Sequence, residues 1–306
     1  MNLDLLVPLL AAAIQTGTPI LFATLGELFT ERSGVLNLGV EGMMIVGALA
    51  AFWASMVTGN PWIGLLAGGL SGLSLAAVHG VVCLVFQGNQ VVSGLALTIM
   101  GVGLAEFLGT PLIGLSAPGF FPVAIPGLSE IPGLGRVLFT QDVLVYISYL
   151  LPLLVWFLLR RTKLGLEIRS AGENPLAAKA SGVRAVGMRW IGVLGGGFLV
   201  GIGGAYLSLA YTHFWTNGLT SGRGWIAVAL VIFAFWKPWR VFLGAYLFGG
   251  VMAFQLRIQA VGTQLPSSLL LMLPYVLTVL VVVLSSWWGR GREAPAALGV
   301  NIEPEE

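Results

Sequence analysis

Charged residues are scarce: Asp, Glu, Lys and Arg make up 9% of the 306 residues, while 57% are hydrophobic. Soluble domains carry about 25% charge, so a water-soluble fold is excluded. Cysteine is nearly absent. Cys83 stands alone in an apolar run, which excludes an internal disulfide and makes it a small hydrophobe. Histidine is limited to His79 and His213. Only Cys83 lies at ligand spacing from His79, too little for a metal set, so no metal site is expected and His79 is expected in a helix-packing hydrogen bond. No G-x-x-x-x-G-K-[ST] occurs, so the chain has no P-loop. No nucleophile is paired with a base, so no catalytic residue is expected. The opening MNLDLLVPLLAAAIQ lacks a basic n-region and an A-x-A site, and reads as a retained first span.

What is abundant is apolar length and glycine. Roughly 20 apolar residues cross a bilayer as a helix, and nine runs qualify as candidates: 5–25, 38–57, 62–86, 91–108, 143–159, 190–211, 225–236, 241–256 and 269–286. The expectation is an all-α polytopic transmembrane bundle of about nine spans, forming one domain over residues 1–306. Glycine, 43 residues, lets helix backbones approach closely where no hydrophobic effect drives them together. Placing the N-terminus outside puts Arg32, Arg160, Arg161, Lys163, Arg169, Lys179, Arg184, Arg189, Lys237, Arg240, Arg290 and Arg292 in the cytoplasm, and leaves Arg136, Arg223 and Arg257 outside. That asymmetry follows the positive-inside rule. The segments flanking Lys237–Arg240 are read as two spans, because a re-entrant hairpin would strand cations at mid-membrane.

Two connections are long. Residues 109–142 carry five prolines with interleaved glycines and read as an irregular outer cap. Residues 160–189 form a basic inner loop. There Asn174 is a good N-cap, Pro175 suits the first helical position, and Gly182 suits a left-handed stop. The local chemistry specifies a helix of about two turns, roughly 10 Å long. So short a helix is marginal alone and needs neighbouring segments or a partner, with Leu176, Ala177 and Ala180 as contact points.

Five ordered blocks carry a resemblance: ERSGVLNLGVEGMM from Glu31, NQVVSGLALT from Asn89, GLEIRSAGENPLAAKASGV from Gly165, SGRGWIAVALVIFAFWKPW from Ser221 and PSSLLLMLPYVLTVLVVVL from Pro266. Together they resemble permease subunits of bacterial ABC importers for branched-chain amino acids, ribose-like sugars and nucleosides. The phrases SGRGW, IPGLSEIPGLGRVLF and ENPLAAKASG look most like the nucleoside-type permeases. The resemblance implies that the 172–181 segment is a coupling helix docking on a separate ATPase, with Gly172, Glu173, Asn174, Pro175, Leu176, Ala177, Ala178 and Gly182 as coupling residues. It also implies that ATP and Mg are held by that ATPase and no cofactor by this chain. The implied partners are a second, related but different permease, an extracytoplasmic binding protein or lipoprotein, a small-molecule substrate and the lipid bilayer. No nucleic-acid partner is expected. The implied location is the bacterial cytoplasmic membrane.

Intramembrane polar residues are functional candidates by default. Asn37 and Glu41, four apart, are expected on one helix face; Glu106 is expected to reach the interface. Asn89, Ser93 and Thr98 enter the fourth run, while Ser221, Arg223 and Trp225 introduce the short seventh. Short segments at matching places in a transporter's two halves point toward its substrate route. Aromatic, amide and hydroxyl side chains suit a flat base and ribose hydroxyls. The expected pathway residues are Asn37, Glu41, Asn89, Ser93, Arg223, Trp225 and Phe254. Rival readings are a permease for a simple sugar or branched-chain amino acid, an ion-coupled transporter using Glu41 or Glu106 as proton carrier, and a membrane-embedded enzyme.

Overall fold

A computed structural model describes residues 3–262, 266–288 and 294–301. The helices are α1 (Leu3–Arg32), α2 (Val40–Thr58), α3 (Pro61–Gly80), α4 (Gln90–Gly109), α5 (Leu134–Leu138), α6 (Val143–Arg161), α7 (Lys163–Glu173), α8 (Pro175–Ala180), α9 (Ala185–Tyr206), α10 (Arg223–Phe233), α11 (Pro238–Val261), α12 (Ser267–Leu271) and α13 (Leu273–Trp288). π turns extend α3 through Val85 and α9 through Tyr211. The all-α polytopic bundle is the architecture expected from composition.

Sequence signals set most boundaries. Gly59 in the left-handed region ends α2, and Asn60 caps α3 with Pro61 at its first position. Asp142 caps α6 by accepting from the N–H groups of Leu144 and Val145 at 2.9 and 3.1 Å. The 109–142 connection, expected as an irregular cap, holds short regular elements: β1 (Val123–Ala124) pairs antiparallel with β2 (Thr140–Gln141), and α5 lies between them.

Among the described residues seven helices are long and apolar enough to cross a membrane, against about nine expected, and the two other expected runs hold shorter apolar helices within 223–233 and 269–281. The boundaries differ in an informative way. The first run was expected to end at Leu25 because charges follow, yet α1 continues through Glu27 and Glu31 to Arg32, since both acids are buried among neighbouring helices. The run expected at 225–236 is an 11-residue helix, and its successor is lengthened to 24 residues. Arg290 and Arg292 lie outside the described residues.

Helices α2 and α9 form the centre, with 72% of their spanning windows buried, whereas α4 and α6 are 33% buried and line the periphery. Glycine permits the central contacts. A Cβ on Gly47 would stand 2.6 Å from the Gly201 carbonyl oxygen, and one on Gly72 would stand 2.7 Å from Gly201 Cα. Three backbones thus meet where any side chain would force them apart, the small-residue packing that membranes favour. Gly201→Leu should overpack this contact by at least 1–3 kcal/mol and abolish or sharply lower the thermal transition in mild detergent. Gly103→Ala, whose Cβ meets open space, should match or slightly exceed wild type. Equal melting of the two variants would remove the packing argument.

Candidate functional site

The start of α10 is a break between irregular chain and a short apolar helix. Ser221 (φ +48°) and Gly222 (φ +79°) adopt successive left-handed conformations, which turn irregular chain into helix and aim backbone N–H groups at Glu41 on α2. Glu41 Oε1 accepts from Thr220 Oγ1 at 2.5 Å and Gly222 N at 2.9 Å, while Oε2 accepts from Gly224 N at 2.6 Å. One carboxylate therefore satisfies donors that a helix N-terminus leaves open, and faces the positive end of its dipole. The contact requires glycine: a Cβ on Gly224 would stand 2.5 Å from Glu41 Cα.

The break lies deep in the bundle. Thr98 Oγ1 donates to the Leu38 carbonyl at 2.8 Å, and Thr98 is about 12 Å along α4 from Gln90 at ~1.5 Å per residue. The 33–39 connection thus dips back between the helices, and α2 and α10 begin at that depth. Irregular backbone at such depth is tolerated where protein covers it. Here Trp215, Leu219 and Thr220 are buried. Arg223 is buried too, with Nη1 donating to the carbonyls of Leu219 and Thr220 at 3.3 and 3.1 Å and its guanidinium 5.5 Å over the Tyr211 ring. Its Nε has no hydrogen-bond partner among the described residues.

Asn37 and Glu41 do not share a helix face, because α2 begins at Val40. Asn37 lies in the preceding turn, where Oδ1 accepts from Gly39 N at 2.8 Å and its own N–H donates to Glu27 Oε1 at 3.1 Å. The structure brings Glu41 and Arg223 together at the break, with Asn37 one turn away. It does not gather the others there. Asn89 caps α4, accepting from Val92 N at 3.0 Å. Ser93 is buried and bonded to His79 Nδ1 at 3.0 Å, whose Nε2 bonds the Leu36 carbonyl at 3.0 Å, the packing role expected for that histidine. Trp225 is partly exposed near the start of α10, and Phe254 is exposed on α11. Glu106 is half-exposed near the end of α4.

Sequence reasoning passed over Glu27 and Glu31. Both are buried on α1, and Glu31 Oε2 accepts from the Trp236 indole. Arg32 donates to the Trp236 carbonyl at 3.0 Å, so α1 grips the α10–α11 turn, where Phe235 and Trp236 both take positive φ. The available signal was two acids four apart at the end of an apolar helix.

The basic loop forms a hook. Asn174 ends α7 and caps α8 by accepting from Ala177 N at 2.9 Å, and Gly182 (φ +81°) follows the end of α8. The helix of about two turns is present, but Gly172 and Glu173 belong to α7 rather than to it, because the helical pattern of 163–173 runs on to the Asn174 break. Ala178 is buried, whereas Glu173, Asn174, Leu176 and Ala177 are exposed; Leu176 is 73% exposed. A cavity of about 550 Å³ opens between α7 and α8, lined by Leu166, Ser170, Ala177 and Val183 among others.

Residues 294–301 strap this hook to the bundle, a feature without a sequence signal. Ala297 N donates to Gly172 O at 2.9 Å and Gly299 N to Gly34 O at 3.3 Å. Arg189 Nη1 donates to Val300 O at 2.7 Å, and Asn301 Nδ2 to Gln87 O at 2.6 Å. Glu173 accepts from Ala296 N at 3.2 Å and lies 4.0 Å from Arg32.

A chain with a capped hook at one end and a broken helix at its centre invites comparison with transport proteins. Residues 9–282 match the family described as branched-chain amino acid transport system / permease component. The chain belongs to that family. It is 47% identical over 261 residues to TsgC13 of Haloferax volcanii, whose name ascribes it provisionally to glucose ABC transport as a permease protein; the match covers 84% of this chain and 79% of TsgC13. It is 35% identical to the guanosine ABC transporter permease protein NupQ of Bacillus subtilis, covering 97% of this chain and 96% of NupQ. The nucleoside ABC transporter permease protein NupC of Lactococcus lactis is 35% identical, with 93% of each chain covered. No solved structure matches the chain.

Glu41→Ala would leave the α10 donors uncapped in a buried place, costing about 1–3 kcal/mol and lowering the melting temperature in detergent. Glu41→Gln keeps acceptor oxygen and should recover part of that loss. If Ala and Gln behave alike, the carboxylate does not organise the break.

Proposed function

We propose that this chain is the membrane-spanning permease subunit of an ATP-driven importer for nucleosides. The observation that carries the reading is the exposed, Asn174-capped hook in a chain of this permease family. Its Leu176 and Ala177 are presented outward, and it is tied to α1 and α9 through Arg32, Glu173 and residues 294–301. The basic end faces the cytoplasm and the N-terminus faces outward in the cytoplasmic membrane. A separate ATPase holds ATP and Mg, and its closure pushes the hook. A binding protein or lipoprotein delivers substrate at the opposite face. The whole chain serves as one permease domain beside a second, related but different permease, and substrate passes near Trp225 and the break at Glu41 and Arg223.

Near-complete coverage of two relatives named for guanosine and nucleosides supports the nucleoside class. Glucose is the second reading, favoured by the higher identity to TsgC13. Uptake of labelled guanosine and glucose by cells expressing the full system separates them. Guanosine uptake resisting excess glucose is the expected result, and the reverse pattern would transfer the chain to sugars.

Purifying a tagged copy from native membranes in mild detergent, followed by mass spectrometry, tests the assembly. A P-loop ATPase and a second permease should be retained; reproducible recovery of folded chain alone would sink the importer reading. Ala177→Trp and Glu173→Lys should leave insertion intact while lowering transport per ATP hydrolysed by tenfold or more, on the order of 1.4 kcal/mol of lost coupling. Unchanged transport in both would remove the coupling role.

A further inference from the structure

At the end of the bundle remote from the hook, a cavity of about 490 Å³ lies between the first half of α1, the π turn that ends α9 and the last turns of α11. Thr16, which lines it, is about 24 Å along α1 from Arg32 at ~1.5 Å per residue. The volume falls in the roughly 300–1,000 Å³ range of small-molecule pockets, and the lining has their character: apolar and aromatic surface with a few polar groups.

Tyr211 joins this cavity to the break. It ends the π turn 207–211, which Thr212 fastens by donating its N–H at 2.9 Å and its hydroxyl at 2.8 Å to the Leu207 carbonyl. Closing a turn one residue later than in an α-helix re-aims the side chains on it, and such turns are frequent at functional sites. Tyr211, half-buried, lines the cavity and also lies under Arg223, whose guanidinium is 5.5 Å from the ring centre. Phe214 is exposed and adds a second aromatic ring to the lining.

Gln15 supplies an acceptor. Gln141 is buried and donates Nε2 to the Val137 carbonyl at 2.7 Å, so its Oε1 accepts from Gln15 Nε2 at 3.1 Å. This relay fixes the orientation of both amides. It leaves Gln15 Oε1, on a residue that lines the cavity, without a hydrogen bond among the described residues. An oriented acceptor beside aromatic rings suits a flat base carrying N–H donors. Arg257, exposed on α11 and part of the same lining, offers donors of the kind ribose oxygens accept. A hexose has hydroxyls to offer but no flat conjugated ring.

Resting on the nucleoside reading above, we propose that this cavity is an entry subsite that holds a nucleoside before it reaches the break, its base against Tyr211 and Phe214 and its N–H groups toward Gln15. Because Arg223 lies over the same tyrosine, the occupied cavity adjoins the break.

The test uses membranes from cells expressing the full system, labelled under light with an azido-substituted guanosine, the modified peptides being located by mass spectrometry. Guanosine uptake by the same cells is measured alongside. Label on this chain should fall within 8–16, 207–214 or 253–257, and guanosine but not glucose should compete it off. Tyr211→Leu should raise the competing guanosine concentration about tenfold and Gln15→Met about fivefold, whereas Tyr211→Phe, which keeps the ring, should stay near wild type. Leu10→Ala, at an exposed α1 residue that does not line the cavity, should change nothing. Melting in detergent identifies any variant that fails to fold, and the position of the wild-type label decides without variants. Normal guanosine uptake with the label elsewhere, or with competition untouched in both folded variants, overturns the subsite and leaves the nucleoside importer standing. Label in these segments that guanosine does not compete makes the cavity a non-specific apolar groove, which also overturns the subsite. A wild-type system that takes up glucose and no guanosine overturns the nucleoside reading, and the subsite with it.

Discussion

Glu41 receives three donors from one short stretch of chain, and much of the central architecture is arranged around that contact. A helix that starts inside a bundle carries open N–H groups where water is excluded, and each such group left unpaired costs a large fraction of a domain's net stability. The carboxylate resolves this only if α2 begins at the same depth as α10. That in turn requires the chain after α1 to fold back, which Asn37 enables by bonding Gly39 and Glu27. Gly224 and Gly42 then let backbones approach until the donors reach the acceptor, with Gly42 facing the Leu97 and Thr98 backbone of α4. Polar pairing sets the depth, and small residues make the approach feasible.

The same division of labour recurs at the basic end. Glu31 and Arg32 hold Trp236 by its indole and its carbonyl, so a turn with two residues at positive φ is fixed from outside rather than by its own preferences. Apolar packing around α2 and α9 supplies cohesion but little direction, because lipid is as apolar as leucine. Direction comes from a few buried polar contacts, each linking residues remote in sequence: Glu41 with Gly224, Glu31 with Trp236, His79 with Leu36.

How legible was this in the sequence? Local chemistry was readable wherever neighbours in the chain determine it. Asn174, Pro175 and Gly182 announced the short helix, and hydropathy located each apolar segment. What escaped was set by partners distant in the chain. Glu27 and Glu31 looked like the end of a span because their burial depends on Asn37 and Trp236. Asn37 and Glu41 looked like helix neighbours because nothing local marks Val40 as the first helical residue. The bond that Ser93, expected along the pathway, makes with His79 on another helix had no local signal. The expected role of Phe254 rested on residue type alone, and the structure sets it on the exposed side of α11.

The strap at 294–301 changes what a push on the hook can do. Without it, α8 would hang from α7 as a lever with one fixed point, and part of any applied displacement would dissipate in bending at Asn174. With Gly172, Gly34, Val300 and Gln87 joined through one peptide segment, the base of the lever is closed into a ring that includes α1, α9 and the α3–α4 connection. A ring deforms only if all its members shift together, so its compliance is low and its displacement is shared. A displacement applied at the hook would then be shared as a concerted tilt of several helices, among them the two whose neighbours frame the break inside the bundle.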